Sequence, residues 1–571
     1  MIDFRNVNTL WSSILVATLQ DLGLTVAIIC PGSRSTPLTV ALTQNSAIET
    51  IPILDERSAA FFALGIAKRT GKPTLLVCTS GTAGANFFPA VIEAKESHVP
   101  LIILTADRPP ELRHCHAGQT IDQIKLYGNY PNWQIELALP QAKWSMLQYL
   151  RQQTITAWQK SLLPTPGVVH LNMPFREPLA PIPHAETLAM AAKFSATEFF
   201  GRVEAATCTI HSQSLPLESW SKYHRGIIIA GLAQPPEPKV YCLAIAKLSR
   251  YLGFPVLAEA LSPVRNYAAL NPYLISTYDS ILREARLAQE LIPEVVIQIG
   301  ELPTSKQLRD WLRELTAPRW AIAPSFANFD PLHGRTTHLY LSIEQLIEEI
   351  PTENLAKNIA DYCQKWCAAE GKHREQIDRQ LESWVGLYEG KVAWLLSRLL
   401  PPETPIFLAN SMSVRNAEFF WQPNNLQLIP YFNRGANGID GTLSTALGIA
   451  HQHKHTVLLT GDLALLHDTN GWLIADRFVG NLTIVLINNH GGGIFELLPI
   501  AEFEPPFEEY FATSQKVDFE PLCQAYGIQY RSISNWQELI DEIALSPNGI
   551  RVLELITDRK ADARWLQKYL N

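Results

Sequence analysis

A chain of 571 residues, 47% hydrophobic and 18% charged, is too long for one core and too apolar to be disordered; at roughly 150 residues per domain it holds three or four. Its net charge of −8 gives no basic footprint for nucleic acid, although a mildly acidic protein can still focus positive potential in a cleft. No apolar run approaches the ~20 residues that span a bilayer, no secretory signal pattern opens the chain, and eight scattered cysteines imply no disulfide framework, so a cytoplasmic location is expected.

In chain order, Asn6 to Gln20, interrupted by Asn8, Thr9, Ser12 and Ser13, reads as an amphipathic helix. Strand-like runs follow at TVAIICPG, PTLLVCTSG, PLIILTADRP and GVVHLNMP, each leading into a glycine or proline turn with helical stretches between, which is α/β patterning. Cys30 and Cys78 lie inside these runs as small hydrophobes. The stretch ILDERSAAFFALGIAKRTG opens on two acids and reads from Ser58 to Arg69 as a buried helix ended by Gly71. On these residues alone, Asp55 and Glu56 need do no more than complement the helix dipole. After the proline-rich exit MPFREPLAPIP, a second series runs through RGIIIAG, PEVVIQIGE and RWAIAPS. A charged helical stretch from about Thr352 to Gln380 leads to a third: PIFLANS, LQLIPYFNRG, TVLLTGD, LTIVLINN and RVLELITD. Cys363 and Cys367 lie a helical turn apart with nothing nearby to complete a zinc set. The simplest division is three α/β domains at 1–183, 184–351 and 385–571, with a helical linker at 352–384.

Chemistry concentrates in TVLLTGDLALLHDTNGWLIADRFVGNLTIVLINNHGGGIF, residues 456 to 495. Two β-rich runs end there in Gly461-Asp462 and Asn488-Asn489, as strands of a buried parallel sheet do where ligands bind. Asp462 and Asn489 are 489 − 462 = 27 residues apart, enough for a crossover that returns the chain to the same sheet edge. Two hard oxygen ligands then converge, as magnesium requires, with phosphate and water completing its shell. The glycines at 491 to 493 permit close backbone approach and can expose the Gly491 carbonyl as a third ligand. A plain nucleotide-binding or ligand-free crossover remains open on these residues alone.

The pattern resembles the thiamine diphosphate signature, which opens with Gly-Asp-Gly and closes in Asn-Asn; here Leu463 stands at the third position. The three-series plan resembles acetolactate synthase and pyruvate decarboxylase along the whole chain, which implies three domains with parallel sheets flanked by helices. The resemblance assigns Glu56 to the aminopyrimidine, where protonating a ring nitrogen favours the imino tautomer that deprotonates the thiazolium. It places Ile439 beneath the bent cofactor, and Gly461, Asp462, Leu463, Asn489, Gly491, Gly492, Ile494 and Phe495 around the diphosphate and reacting carbon. Magnesium, or manganese in its place, takes Asp462, Asn489 and the Gly491 carbonyl. Sites in that family combine the first domain of one subunit with the third of another, so the resemblance implies a homodimer or a dimer of dimers.

A closer resemblance rests on CPGSRSTPL at 30 to 38, TADRPPELRHCHAGQTI at 105 to 121, NSMSVR at 410 to 415, NRGANGIDG at 433 to 441 and NNHGGGIFELLP at 488 to 499. These are similar to the 2-succinyl-5-enolpyruvyl-6-hydroxy-3-cyclohexene-1-carboxylate synthase family of menaquinone and phylloquinone biosynthesis. That implies a transferase that decarboxylates 2-oxoglutarate and adds the succinyl-semialdehyde carbanion to isochorismate by conjugate addition, releasing CO2. Both substrates are dicarboxylates, and guanidinium forks bind carboxylate through paired charge-assisted hydrogen bonds. Arg34, Arg108, Arg415 and Arg434 occupy the matched loops, with Ser33, Gln119, Ser411 and Lys306 as further substrate contacts and Phe495 and Leu498 beside Ile494 as an apolar wall. Arg415, Arg434 and Gln119 join Glu56 as the catalytic set. Gly118 departs from the asparagine common in that family. Two readings compete: another thiamine-dependent carboligase, whose neutral product would not need four arginines, and a non-catalytic binding protein, which would not need Glu56 with Asp462 and Asn489.

Overall fold

The computed structural model describes residues 2–201, 203, 215–350 and 360–570; the first part of the expected linker, 352–359, lies outside them. The chain forms two compact units. One is Met1–Thr209 with Asn433–His451 and His467–Phe478, and the other is Ile210–Phe432 with Gln452–Leu466 and Val479–Asn571.

The first unit is built on a sheet of β1 (Val26–Ile29), β2 (Glu49–Pro52), β3 (Thr74–Cys78), β4 (Leu101–Asp107), β5 (Trp133–Glu136) and β6 (Val168–Pro174), ordered β2-β1-β3-β4-β6-β5. All its pairings are parallel. β3, β4 and β6 are buried along their whole length, which is why each reads as a continuous apolar run. The helix Val7–Asp21 differs from the amphipathic expectation: Asn8, Thr9, Ser12 and Ser13 are buried along with the apolar residues. Partners make most of that tolerable, since Asn8 donates to the Arg176 and Pro178 carbonyls and Ser13 to that of Leu10, while Ser12 Oγ has none among the described residues. The helix Glu56–Thr70 is capped by Asp55 and ended by Gly71 in the left-handed conformation.

The second unit holds two further six-stranded sheets. In the middle one β7 (Gly226–Ala230), β8 (Val256–Ala258), β9 (Leu274–Ile275), β10 (Val295–Ile299), β11 (Arg319–Ile322) and β12 (Thr336–Leu339) run in the order β12-β11-β10-β7-β8-β9. In the last, β13 (Pro405–Leu408), β14 (Ile429–Tyr431), β15 (Thr456–Gly461), β16 (Leu482–Asn488), β17 (Gln529–Ile533) and β18 (Ile550–Ile556) take the order β14-β13-β15-β16-β18-β17, the same as the first sheet. Every pairing in both is parallel. Pro430 is tolerated because β14 lies at the sheet edge, where a missing N–H costs no ladder bond. The second half of the expected linker is a helix, Asp361–Ser383. A buried ion pair, Arg265 Nη2 to Glu418 at 3.1 Å, ties the segment after β8 to the helix Met412–Phe420.

In the first unit the helices Glu56–Thr70 and Thr442–Ala450 cross without side chains between them. A methyl group at Gly65 would lie 2.1 Å from the Thr445 carbonyl oxygen, and one at Gly448 would lie 2.1 Å from that of Phe62. Alanine is the better helix former by about 1 kcal/mol, yet Gly65→Ala should lower the thermal unfolding midpoint because backbone must give way. A raised midpoint would show that the crossing is looser than this.

Candidate active site

Parallel strands share one carboxyl edge, and the expected site residues follow those ends in the chain. Ser33 and Arg34 come after β1, Glu56 after β2, Arg108 after β4, Ser411 and Arg415 after β13, Arg434 and Ile439 after β14, Asp462 after β15, and Asn489 and Gly491 after β16. Open parallel sheets bind ligands at this edge, most readily where strand order reverses. In the last sheet that reversal falls between β13 and β15, beside the loop of Ser411 and the loop of Asp462.

In the second unit, β15 pairs with β16 so that Gly461 faces Ile487, which brings Asp462 level with Asn488 and one residue short of Asn489. Asp462 is buried and opens the short helix Asp462–Leu466. Burial pushes its carboxyl up to about 6, opposed by backbone N–H groups of Leu463 and Gly491 and by the nearby His490. Asn489 is buried, and its Oδ1 has no hydrogen-bond partner among the described residues. An acceptor so stranded costs about 1–3 kcal/mol unless a ligand meets it. No group of three or more His, Cys, Asp or Glu able to hold a metal occurs among the described residues. A mixed set of carboxylate, amide and carbonyl oxygens is what a hard divalent cation accepts, and Asp462, Asn489 and the Gly491 carbonyl fit it. That carbonyl already accepts from Gly493 N–H at 2.9 Å, which leaves one lone pair.

Leu463 is accommodated because it sits inside the helix and needs no left-handed backbone. The glycines 491 to 493 serve packing more than ligand approach. Gly491 has φ +136° and a Cβ there would lie 2.4 Å from the Ala512 carbonyl oxygen; one at Gly492 would meet the Phe495 ring at 2.7 Å, and one at Gly493 the Asn489 amide at 2.7 Å. Ile494 packs against the core of this unit, Phe495 meets Phe511 edge to face at 5.8 Å, and Leu498 is 47% exposed.

Arg559, at the start of the last helix, holds this loop together. Its Nε donates to Glu496 at 2.8 Å, Nη1 to the His490 carbonyl at 3.0 Å, and Nη2 to Glu508. Sequence reading passed over it, although it follows β18 as the other arginines follow their strands. Elsewhere in this unit, Ser411 takes φ +70° ahead of its helix and accepts through its carbonyl from Arg415 Nη1 at 2.7 Å. Lys306 is 89% exposed and paired with Asp310 at 2.6 Å.

In the first unit the two neighbouring acids divide their work. Asp55 caps the helix by accepting from Ser58 N–H at 3.0 Å, and its second oxygen accepts from Asn470 at 2.8 Å. Among the described residues the Glu56 carboxylate accepts only from the Asn86 amide, at 3.3 Å. An open cavity of about 590 Å³ is lined by Pro31, Gly32 and Leu54, next to the loops of Ser33 and Glu56. Arg34 is buried, donates to the Phe175 carbonyl at 3.0 Å and lies 3.3 Å from Glu177. Burial, and then the charge of Arg108, hold its guanidinium below the usual range, so two cations approach each other here. Arg108 donates to the Ser80 hydroxyl, and Gln119, at φ +58°, donates to the Ser80 carbonyl at 3.0 Å. Arg113 braces this loop: Nη2 lies 2.9 Å from Asp107, Nη1 donates to Glu136 at 2.7 Å, and Nε to the Arg108 carbonyl at 3.1 Å. Nothing lies within 4 Å of where a side chain would begin at Gly118.

The loop of Arg434 and Ile439 is anchored through a residue the sequence reading missed. Buried Glu93 accepts from Gly435 N–H at 3.1 Å and Ala436 N–H at 2.7 Å, with Lys68 at 3.8 Å. An acid set among the apolar residues of the helix FPAVIEAKE, ahead of its charged end at Lys95 and Glu96, was the available signal. Ile439 is half-buried.

Three family models define the class. They describe the N-terminal TPP binding domain, the middle domain and the C-terminal TPP binding domain of thiamine pyrophosphate enzymes, and they match residues 11–126, 196–408 and 411–554. Among curated relatives, the 2-succinyl-5-enolpyruvyl-6-hydroxy-3-cyclohexene-1-carboxylate synthase of Gloeothece citriformis is 63% identical over 100% of this chain and 99% of its own. Synthases of the same description from Trichodesmium erythraeum and a Synechococcus are 61% and 55% identical, covering 99% and 100% of this chain and 98% and 97% of theirs. The chain belongs to this synthase family of thiamine pyrophosphate enzymes.

Because Arg559 ties the Asn489–Gly491 turn to its apolar wall, Arg559→Met should weaken magnesium-dependent retention of thiamine diphosphate by roughly tenfold or more, at about 1.4 kcal/mol per factor of ten. Equilibrium dialysis with and without magnesium checks this, and wild-type retention would show that the loop holds itself.

Proposed function

We propose that the chain decarboxylates 2-oxoglutarate on thiamine diphosphate and joins the remaining four carbons to isochorismate. The products are 2-succinyl-5-enolpyruvyl-6-hydroxy-3-cyclohexene-1-carboxylate and CO2. Membership of the synthase family supports the reaction, and the position of Arg34, Arg108, Arg415 and Arg434 in loops that follow the carboxyl ends of strands carries the substrate class. Guanidinium forks in such loops are suited to the paired carboxylates of a dicarboxylate.

Thiamine diphosphate, when bound, supplies the electron sink for the carbon left by decarboxylation. The chain's own residues bind, orient and move protons. Glu56, held at the start of its helix with only a long contact to Asn86, is the acid for the pyrimidine nitrogen. Asp462, Asn489 and the Gly491 carbonyl would hold magnesium, or manganese, against the diphosphate, and Ile439 would support the bent cofactor. Arg34, Arg108, Arg415 and Arg434 orient carboxylates, with Ser33, Gln119 and Ser411 adding neutral hydrogen bonds. Ile494, Phe495 and Leu498 keep water from the reacting carbon. Lys306, exposed and paired with Asp310, would need to leave that partner to reach substrate.

The reading extends to working domains at 1–183, 184–351 and 385–571 joined by 352–384, and to a homodimer or dimer of dimers in which each centre takes its Glu56 half from one protomer and its Asp462 half from the partner. No helix among the described residues is long and apolar enough to cross a membrane. Every cysteine among them is a free thiol, which supports the reducing environment of a cytoplasmic location.

Incubation of the protein with thiamine diphosphate, magnesium, 2-oxoglutarate and isochorismate should release CO2 and yield the adduct by mass spectrometry; CO2 without an isochorismate-dependent adduct would contradict the proposal. Glu56→Gln should keep cofactor affinity and lose turnover by about 10²–10⁴-fold, the usual share of an acid–base group, and near-normal turnover would remove it from the role. Arg415→Ala should raise the KM for a dicarboxylate about ten- to a hundredfold, as expected for losing a charged hydrogen bond of about 1.5–3 kcal/mol. Unchanged KM values for both substrates would take Arg415 out of carboxylate binding.

A further inference from the structure

In the first unit, three strands of the sheet are joined at their carboxyl ends by one buried amide that sequence reading left untouched. Gln123 lies in the irregular stretch between β4 and β5. Its Oε1 accepts from Gly81 N–H, just past β3, at 2.9 Å. Its Nε2 donates to the Ala106 carbonyl of β4 at 3.2 Å and to Asn172 Oδ1 of β6 at 2.9 Å. Two of the three partners are backbone groups, one able only to donate and one only to accept, so they fix which end of the amide is oxygen and which nitrogen. Asn172 is buried as well and donates in turn to Asp107 at 2.8 Å, the residue before Arg108.

The turn that Gln123 holds is the one on which Arg108 and Gln119 rest. Arg108 donates to the Ser80 hydroxyl and Gln119 to the Ser80 carbonyl at 3.0 Å. Gly81, the next residue, has φ +89°, and a Cβ there would lie 2.9 Å from Gln119 Cγ, so the turn and Gln119 are in close contact. Packing alone does not fix Gln123, because a cavity of about 270 Å³ lies against it, with Gln134, Glu136, His170 and Asn172 also in its walls. Hydrogen bonds set its place instead. Stranding the buried Gly81 N–H or the Ala106 carbonyl is unfavourable, so the amide ties the Ser80–Gly81 turn to the end of β4 that leads into Arg108.

We propose that Gln123 is a positioning residue for substrate binding: by joining the Ser80–Gly81 turn to the ends of β4 and β6, it sets where the Arg108 guanidinium and the Gln119 amide stand. The inference rests on the assignment of Arg108 and Gln119 to substrate, and the test separates the two. Steady-state kinetics with thiamine diphosphate and magnesium give kcat and a KM each for 2-oxoglutarate and isochorismate. Gln123→Met keeps the length of the side chain and removes its donor and acceptor. It should raise the KM that Arg108→Ala with Gln119→Ala raises, by roughly ten- to a hundredfold, as displacing a binding group by less than about 1 Å can do. The other KM and the retention of thiamine diphosphate in dialysis should stay as in wild type. A mere loss of folded protein would instead lower kcat and leave both KM values unchanged. Added to the Arg108→Ala, Gln119→Ala pair, Gln123→Met should raise KM no further, because the groups it sets are gone. Wild-type KM values in Gln123→Met, or a rise that simply adds to that of the pair, overturn the proposal. Unchanged KM values in the pair itself overturn the assignment beneath it. If Gln123→Met does not fold, Gln123→Glu keeps an oxygen for Gly81 N–H and sets a second against the Ala106 carbonyl and Asn172 Oδ1, and wild-type KM values in that variant overturn the proposal equally.

Discussion

The parallel pairing of β15 with β16 is the constraint on which the proposed cation site depends. Parallel strands end on the same edge, and the register that sets Gly461 against Ile487 delivers Asp462 and Asn489 together without further design. The interval of 489 − 462 = 27 positions is spent on a short helix, Asp462–Leu466, a 3-10 segment, Thr469–Arg477, and β16 itself. One residue of slip would turn each side chain to the other face of the sheet. The buried ladder from Leu482 to Ile487, apolar but for Thr483, specifies the register strongly.

Around that edge the fold tolerates an unusual concentration of buried acid. Burial pushes Asp462 up to about 6, Glu389 to about 7 and Asp562 to about 8, and Glu389 feels the charge of Asp462 just as Asp562 feels that of Glu389. Each shift marks a charge that desolvation penalises. A protein core has no reason to gather such groups for stability alone, whereas a divalent cation at the edge inverts the local balance. In the first unit the sign is opposite: the buried Arg34 feels the charge of Arg108 and is compensated by Glu177 at 3.3 Å. Around both, the backbone is fixed by acids and arginines at loop ends: Glu93 on the Arg434 loop, Arg113 on the Arg108 loop, Arg559 on the Gly491 turn.

What sequence could reveal follows the same physics. Long buried strands such as β4, β6, β16 and β18 are mostly apolar, and their glycine- or oxygen-bearing ends mark the site edge, so the family and most candidate residues were legible there. β2 and β17 were not, because ETIP and the mostly exposed QYRSI carry no apolar run; edge strands pack one side at most. The helix Val7–Asp21 looked amphipathic because its polar residues could not be seen to find partners inside. Glu93 and Arg559 act through the loops they hold, and nothing in local sequence says that such an acid or arginine is buried. The interleaving of 433–451 and 467–478 with the first unit is likewise a long-range matter, set by the glycine-mediated crossing at Gly65 and Gly448.

Asp462 and Asn489 are proposed to converge on one cation at the end of β15 and β16. A crystal structure of the chain with thiamine diphosphate and magnesium tests this most directly. It should show the ion at about 2.0–2.1 Å from an Asp462 carboxylate oxygen, Asn489 Oδ1 and the Gly491 carbonyl oxygen. An ion bound elsewhere, or one that Asn489 Oδ1 does not reach, would contradict that convergence.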